Sequence, residues 1–327
     1  MTRSRRRRAR RPRLQIPPSL DHYQVVSDFQ VGGATEKDIL LDPATGEWYI
    51  AKLGRRNNDL EVVTEYMIHL AGRSLGIRTA DSKIAYFHGR LRFLSKYFLD
   101  RSQAEELVHG IQLFKELYDD SIVDAVLGDE SQEQAMFSLQ QIRNAFGAHY
   151  VEYGPELEQD LFNALVDMVV HDAIIGVQDR HHENWGIIVQ RGRAGPRPRF
   201  APLYDSARGM FCNMPDAELR RFSGADGLRR LDAYISRARP LMGWDGLQPR
   251  RGTKHITHDQ LLGAIYRDVP ALRPRIRAIL ANYDWRKLRK TLVERVGFAC
   301  SGRRIALILT LLRRRIRLVN RAITMLR

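Results

Sequence analysis

The first hundred residues are patterned as strands around a single helix. The segments YQVVSDFQV and EWYIAKL, within residues 23–53, are rich in β-branched and aromatic residues, and GGATEKD and DPATGE supply turn residues beside them. Residues 59–75 carry apolar side chains at helical spacing, and Gly76 closes the run. The segments DSKIAYFHG and LRFLSKYFL indicate a hairpin around His88–Gly89. Up to about residue 100, the pattern therefore predicts the order strand, strand, helix, strand, strand.

After residue 100 the pattern becomes helical. We predict helices over residues 102–118 and 133–146. Residues 155–176 give the strongest helical signal in the chain, because Pro155 suits a first turn, acidic residues crowd that turn and a glycine ends the segment. The buried stripe of this helix is predicted to contain Leu161, Leu165, Val169 and Ile174. A short polar segment follows directly and leads into a predicted strand, NWGIIVQ.

Length and composition are those of a folded soluble protein. The 327 residues can bury a substantial core in two domains or one bilobal domain, and 44% of them are hydrophobic. No run approaches the roughly 18 apolar residues of a membrane-spanning helix, and no signal-peptide core follows the basic N-terminus. Cys212 and Cys300 are too few for a disulfide framework. We therefore expect a cytoplasmic protein without a transmembrane segment.

The net charge of +15 is concentrated at the two ends of the chain. Residues 1–13 and residues 303–327 each hold eight Arg and no acidic residue, which leaves about −1 for everything between them. This distribution predicts a near-neutral globular core with cationic ends, and it argues against a uniformly basic nucleic-acid binder. The N-terminal Arg-rich segment is expected to be a disordered tail that binds polyanions loosely and with strong salt dependence.

Residues 179–184, with the sequence Asp-Arg-His-His-Glu-Asn, place a carboxylate and an amide five positions apart between two apolar segments. Transfer of a phosphoryl group from ATP requires charge to hold the polyphosphate, oxygen ligands for Mg²⁺ and a carboxylate beside the accepting hydroxyl. In such a reaction Asp179 could orient the nucleophile, Asn184 could bind the metal through its amide oxygen, and Asp205 could supply the metal carboxylate. The structural alternative is a polar loop that caps a helix and starts a strand.

The N-terminal strands contain residues that could hold the phosphates. The Gly-containing turn at residues 31–38 can offer backbone N–H groups, and Lys52 on the next strand can contact the phosphates directly. A lysine that reaches into a cleft is better held by an acid on the adjoining helix. Glu65 is favoured for this role over Glu61, which lies one turn earlier on nearly the same face. The candidate phosphate-binding residues of the turn are Gly32, Gly33, Ala34, Thr35 and Lys37.

These motifs resemble those of the HipA-like family of bacterial serine/threonine kinases, from about residue 29 to 211. GGATEKDIL is similar to that family's Gly-Ala-x-Glu-Lys loop, WYIAKL to its nucleotide-lysine strand, and TEYMIHLAGRSLGIRTADSKI to its Asn-Glu-Tyr helix and the following strand. LSKYFLDR resembles the inter-lobe hinge, GVQDRHHENWGIIV the catalytic loop, and FAPLYDSARGMF the Tyr-Asp metal motif. The motifs occur in the order in which kinase elements follow one another along a chain.

The resemblance implies an α+β, two-lobed protein-kinase-like fold, with a small β-rich N-lobe and a larger, mostly helical C-lobe. The expected boundaries are an Arg-rich tail at 1–20, the N-lobe at 21–100, the C-lobe at 101–300 and a basic amphipathic helix at 301–327. The implied activity is phosphorylation of Ser or Thr in a protein substrate, including the kinase itself.

The same resemblance implies ATP and Mg²⁺ as cofactors and assigns roles to five side chains. Lys52 becomes the phosphate-binding lysine and Glu65 its partner. Asp179 becomes the catalytic carboxylate. Asn184 and Asp205 become the metal ligands.

Two further sets of residues receive roles by resemblance. Backbone groups of Lys96, Tyr97 and Phe98 are expected to meet the adenine. Arg180 and His181 are expected either to contact the transferring phosphate or to hold the catalytic loop in place.

The acceptor and the activity have open alternatives. The pattern Asp-Arg-His-x-x-Asn also occurs in the catalytic loop of phosphoinositide kinases, so a lipid or a small alcohol is an alternative acceptor. The sequence at 204–206 is Tyr-Asp-Ser in place of Asp-Phe-Gly, which favours a HipA-like kinase over a phosphoinositide kinase. A further alternative is a catalytically silent kinase-fold protein that its basic ends recruit to nucleic acid or to a membrane.

The C-terminal segment 303–327 predicts a strongly amphipathic basic helix. Its apolar face contains Ile305, Ile308, Leu309, Leu312, Ile316, Val319, Ile323 and Leu326. Its polar face contains Arg313, Arg314, Arg317 and Arg321. Such a helix either docks on the large lobe or binds an anionic membrane surface or an acidic partner, including nucleic acid.

Overall fold

The computed structural model describes residues 14–27, 36–55, 58–190, 196–253 and 255–325. They form a small antiparallel sheet region followed by a mostly helical remainder, which confirms the predicted α+β fold class. The predicted phosphate-binding residues Gly32, Gly33, Ala34 and Thr35 and the Arg-rich residues 1–13 lie outside the described residues.

The N-lobe is built on five antiparallel strands in the order β1-β2-β3-β5-β4. The strands are β1 (Gln24–Val25), β2 (Lys37–Leu41), β3 (Trp48–Lys52), β4 (Ser82–Phe87) and β5 (Arg90–Lys96). The hairpin predicted at His88–Gly89 is present. Both of its turn residues have positive φ, at 47° and 70°, as a two-residue hairpin with this twist requires.

Helix α1 (Asp59–Ser74) lies between β3 and β4 in the chain. Its bounds follow from local chemistry, because Asn58 caps the first turn by accepting from the Leu60 N–H at 3.1 Å, and Gly76 takes a φ of 76° just beyond the last turn. The sheet packs on one side of α1, and α11 (Trp285–Val296) packs on another. This enclosure fixes the position of the acidic residues that α1 carries.

The remaining elements form the C-lobe. Its strands are β6 (Glu105–His109), β7 (Gly186–Gln190) and β8 (Arg199–Phe200), which form a three-stranded sheet in that order. Its helices are α2 (Gly110–Leu117), α3 (Asp120–Val126), α4 (Glu130–Met136), α5 (Leu139–His149), α6 (Pro155–Ile175), α7 (Asp216–Leu219), α8 (Gly227–Arg237), α9 (His258–Asp268), α10 (Arg273–Ala281), α11 and α12 (Gly302–Thr324).

Two of the predicted helices differ from the structure. The first half of the helix predicted at 102–118 is the strand β6, whose Val108 pairs with Ile187 of β7. This pairing spans about 80 positions of the chain, so a long-range contact overrides the local helical pattern. The helix predicted at 133–146 is broken between α4 and α5, because the Ser138 hydroxyl caps a new first turn by accepting from the Gln141 N–H at 3.3 Å.

Helix α6 lies at the centre of the C-lobe and confirms the strongest helical prediction. It begins at Pro155 and ends at Ile175, and Gly176 follows with a φ of 78°. Residues from Met168 to Ile175 are all buried, which exceeds the predicted single stripe. The polar segment 179–184 therefore starts from a rigid, fully enclosed helix end.

The C-terminal helix α12 is docked on the C-lobe. It packs against α6, α8, α9 and α11, and its apolar residues belong to the same core cluster as those of α6. Arg304 is 1% exposed and donates from Nε to Asp216 at 2.7 Å, which adds an ion pair to the apolar contact. Within the described ranges, no helix is both long and apolar enough to span a bilayer.

We expect Leu312→Ala to lower the free energy of unfolding by about 2–5 kcal/mol, because it leaves a cavity at a residue that is 0% exposed. Urea unfolding followed by tryptophan fluorescence measures the change. The control is Arg317→Ala, an exposed position on the same helix, which should shift the free energy by less than about 0.5 kcal/mol. Equal small effects at both positions would show that α12 contributes little to the core.

Candidate active site

Lys52 joins the two lobes through two carboxylates, the buried Glu65 and the partly exposed Asp205. Its Nζ donates to Glu65 Oε1 and to Asp205 Oδ1, at 2.8 Å each. Lys52 and Glu65 are only 7% and 4% exposed, and charges buried this deeply persist because they are paired. The end of β3, the second turn of α1 and the segment after β8 therefore meet at one point, although Lys52 and Asp205 are 153 positions apart.

The charges of this cluster stabilise one another. Burial opposes the charge of Lys52, but Glu65 and Asp205 outweigh it and hold the lysine pKa above its ordinary value. Burial likewise opposes the charge of Asp205, but Lys52 and Lys37 hold the pKa of that carboxyl well below its usual range. The Lys37 Nζ lies 3.6 Å from Asp205 Oδ2. Lys37 and Lys52, from adjacent strands, thus both point to the Asp205 carboxylate.

Glu61, the alternative partner of Lys52, lines the same cavity as that lysine but binds Arg55 instead. Its carboxylate accepts from the Arg55 N–H at 2.7 Å and lies 4.0 Å from the Arg55 Nε. Glu65, one turn further along α1, is the acid that contacts Lys52. Burial raises the pKa of Glu65 to about 7, although Lys52 acts against this effect. Glu61 therefore offers an internal control for Glu65.

Asp179 lines the same small cavity, together with Lys52, Glu65 and Asp205. Its Oδ1 is buried and has no hydrogen-bond partner within the described part of the chain. Burial raises the pKa of Asp179 to about 6, with Asp205 adding to the rise and Arg180 opposing it. A buried acceptor without a donor suits a ligand hydroxyl, because an orphaned polar atom is otherwise unfavourable.

Arg180 lies in the interior beneath the cleft. Its guanidinium is 4% exposed and uses all five N–H groups within the protein. Two bonds reach Asp172 Oδ2 and Oδ1, at 2.9 and 3.2 Å, and one reaches the Ser206 hydroxyl. The remaining two reach the backbone carbonyls of Asn184 and Tyr204, at 2.8 and 2.9 Å. Of its two predicted roles, this geometry favours holding the loop over contacting a phosphate.

His181 and Asn184 complete the predicted loop. His181 is partly exposed, its Nδ1 accepts from the Glu183 N–H at 3.3 Å, and burial lowers its pKa. The Asn184 side chain donates from Nδ2 to the Asp179 carbonyl at 2.7 Å. Because the amide nitrogen is fixed in this way, the amide oxygen of Asn184 is the atom left for a ligand.

The residues fit a magnesium ion of the kind that binds with nucleotide phosphates. Asn184 and Asp205 offer an amide and a carboxylate oxygen, the hard donors that Mg²⁺ prefers, and water and phosphate usually fill its other positions. Arg180 ties the backbone at Asn184 to the backbone at Tyr204, the residue before Asp205. Within the described ranges, no group of three or more His, Cys, Asp and Glu residues could hold a metal, so protein ligands alone do not form a closed site there.

The segment predicted to meet adenine follows β5 at the edge between the lobes. The N–H groups of Lys96 and Tyr97 donate to the carbonyls of Asp81 and Trp48, at 2.7 and 2.8 Å. Hydrogen bonds from this segment to a base would therefore use carbonyl oxygens or the Phe98 N–H. The Phe98 ring packs near the Tyr204 ring, with centroids 5.7 Å apart.

Three residues outside the predicted set also shape the site. Arg208 lines the cavity, and its Nε lies 4.0 Å from Asp179 Oδ2. His258 donates from Nε2 to the Val177 carbonyl at 2.9 Å, at the start of the catalytic loop. The guanidinium of Arg315, on α12, packs against Gly176. A Cβ atom added at position 176 would lie only 2.4 Å from the Arg315 Cζ. No local sequence signal marks these residues, because their partners are distant in the chain.

We expect Arg180→Lys to lower the free energy of unfolding by about 2–4 kcal/mol, because a lysine keeps the charge but cannot reproduce five planar N–H bonds. Urea titration measures the change. Arg208→Lys is the matched control and should have little effect, since the Arg208 side chain is 48% exposed. Unchanged stability in Arg180→Lys would refute the positioning role.

Comparison with known proteins agrees with this geometry. The family model for the HipA-like C-terminal domain matches residues 29–235. The Helicobacter pylori proinflammatory kinase CtkA has a similar structure, with a TM-score of 0.71 and 20% identity over 94% of this chain and 99% of that chain. HipA of Shewanella oneidensis MR-1, solved with HipB and operator DNA, matches with a TM-score of 0.48 and 12% identity over 90% of this chain and 67% of that chain. No curated protein matches the chain.

The family match covers more than half of the chain and includes every described residue of the cluster around Lys52. The similarity to CtkA extends over 94% of this chain and shows that the two proteins share a fold. Both findings confirm the resemblance inferred from the six sequence motifs and support a kinase function. The chain belongs to the HipA-like C-terminal domain family.

Proposed function

We propose that this protein is an ATP- and Mg²⁺-dependent kinase that phosphorylates serine or threonine in a protein substrate, its own chain included. The observation that supports this most is the convergence of Lys52, Glu65, Asp205 and Asp179 on one cavity. A structural ion pair alone would not need the unsatisfied buried oxygen of Asp179 beside it.

In this proposal, Lys52 binds the ATP phosphates, and Glu65 keeps its ammonium group in the cleft. Asn184 and Asp205 hold Mg²⁺, which when bound neutralises charge on the phosphates. Lys37, on the strand beside Lys52, adds a second positive charge near Asp205. The cationic side chains and the metal ligands thus lie together, as the stabilisation of a phosphoryl group requires.

Asp179 serves as the base beside the acceptor hydroxyl. Its Oδ1 accepts the hydroxyl hydrogen, which orients the oxygen toward the phosphoryl group. Arg180 does not take part in this contact and instead holds the backbone on both sides of the metal ligands. Arg208, near the other oxygen of Asp179, is positioned to bind a transferring or product phosphate.

The first test measures transfer of labelled phosphate from ATP to protein, with Mg²⁺ present, followed by mass spectrometry of the acceptor sites. Asp179→Asn keeps the size of the side chain but removes the base, so we expect the rate to fall by about 100-fold to 10,000-fold. ATP binding should persist, since the phosphate-binding lysines remain.

The control for this test uses the two acids of α1. Glu65→Gln should lower the rate strongly, whereas Glu61→Gln should leave it nearly unchanged, because only Glu65 contacts Lys52. Full activity of Asp179→Asn would eliminate the proposed base. Label that appears in lipid and not in protein would change the acceptor class but keep the site.

The pH dependence gives a second test. The raised pKa of Asp179, about 6, means that the carboxyl is protonated and unable to act as a base below that pH. We expect kcat/KM for the acceptor to be constant above about pH 7 and to fall about tenfold per unit well below pH 6. The residual activity of Asp179→Asn should not show this fall at low pH. A profile that is flat down to pH 4.5 would contradict the assignment.

A further inference from the structure

Helices α11 and α12 pack against each other, and both carry exposed cations. The basic face comprises Arg286, Lys287 and Arg289 of α11 and Arg313, Arg317 and Arg321 of α12, all of them exposed. Half of these residues come from α11, which lies outside the Arg-rich C-terminal segment. The basic face is therefore a product of packing and not of one charged run.

The acidic residue nearest to the basic face is Asp284, which caps α11 by accepting from the backbone N–H groups of Arg286 and Lys287 at 2.9 Å each. Between residues 285 and 325 the chain contains a single acid, Glu294, which lies 3.8 Å from Lys290. Within the described ranges, none of the six cations forms an ion pair with a carboxylate. Other arginines of α12 do have carboxylate partners, since the buried Arg304 pairs with Asp216 and the partly exposed Arg314 pairs with Asp232. The uncompensated charge is thus confined to the outward side.

One contact joins the two halves of the basic face. The guanidinium of Arg313 lies over the Trp285 ring, with its carbon 4.7 Å from the centroid, at the first residue of α11. Arg317 and Arg321 follow Arg313 at four-residue spacing, so each lies about 6 Å further along the axis of α12. The cations are consequently held on two packed helices, in a rigid array that suits a rigid polyanion.

The packing argues against a bilayer as the partner. Insertion in the membrane interface requires a free apolar helix face, and that of α12 is buried in the C-lobe core. The exposed Leu14 does lie near α11, but it contacts Gly297 at the end opposite to Trp285. Beside the charges, the one strongly exposed apolar side chain at the described end of α12 is Met325, which is 83% exposed.

The aromatic residues argue against single-stranded nucleic acid. Single strands are held by aromatic side chains on which the bases stack. Trp285, the aromatic residue beside the basic face, already stacks on Tyr283 at 3.9 Å between centroids and lies under Arg313. A duplex needs no such platform, because its phosphates line the outside.

We infer that the basic face binds the phosphate backbone of double-stranded DNA, without reading the bases. Arginines on rigid helices bind phosphate oxygens through charge-assisted hydrogen bonds, and each bound phosphate releases counterions. Such binding weakens steeply with salt and is independent of sequence. It goes beyond the proposed kinase activity and does not require it.

The test measures binding of the full chain to a fluorescently labelled DNA duplex by anisotropy, over a series of salt concentrations. Two double variants probe the face, Arg286→Glu with Arg289→Glu and Arg317→Glu with Arg321→Glu. We expect each to weaken binding by about tenfold or more at low salt and to reduce the slope of log Kd against log salt by about 2.

The matched control makes the same change in net charge elsewhere. Arg230→Glu with Arg251→Glu alters two exposed arginines outside α11 and α12 and should lower affinity much less. The neutral pair Arg317→Gln with Arg321→Gln removes the contacts without adding repulsion, and it should still reduce the slope by about 2. Asp179→Asn should bind DNA as the unaltered protein does, which separates this surface from the kinase site.

Three outcomes would overturn the inference. The first is an equal loss of DNA affinity in the variants of the basic face and in the control variant, which would show only a general effect of net charge. The second is tighter binding to phosphatidylserine vesicles, with no binding to duplex, which would favour a membrane surface. The third is a strong preference for single-stranded DNA or for an RNA duplex of equal length, which would identify a different nucleic acid.

Discussion

The ion cluster around Lys52 is the interaction on which the site depends. A lysine and a glutamate of the N-lobe are buried as a pair, and a partly exposed aspartate of the C-lobe binds the same lysine, so the buried charges are tolerated only while their partners are present. The three elements that carry them are far apart in the chain. The relative position of the lobes and the shape of the cleft are therefore determined by one buried electrostatic contact, reinforced by the packing of α11 on α1.

A second set of buried cations organises the C-lobe beneath the cleft. Arg180 binds Asp172 on α6 and two backbone carbonyls next to Asn184 and Asp205, and Arg315 packs against Gly176. The Arg180 and Arg315 side chains bind backbone carbonyls and one carboxylate in the interior. Their burial makes the catalytic loop rigid, and it connects the C-terminal helix α12 with the start of that loop. The family match ends at residue 235, yet residues beyond it support the site.

The cations of this chain fall into two groups, one in the interior and one on the surface. Cations that face the interior serve the fold, as Arg304, Arg315 and Arg180 do. The six outward-facing cations of the basic face have no carboxylate partner among the residues that the structure describes. The net charge of +15 does not distinguish these groups. Only the exposed group can attract a polyanion, because a buried guanidinium cannot reach an external phosphate.

The sequence by itself determined the elements with strong local periodicity and the chemical types of the site. It predicted α1, α6 and the hairpin at His88–Gly89, and it identified Lys52 and Asp205 as parts of one kinase-like order. Local patterns suffice there because side-chain spacing and caps act within a few residues. Only the tertiary structure decided that β6 is a strand, that Arg180 is an interior scaffold, and that Arg304 and Arg315 of the C-terminal helix are buried. Those outcomes depend on partners tens of residues away, and side-chain spacing along a single segment carries no information about them.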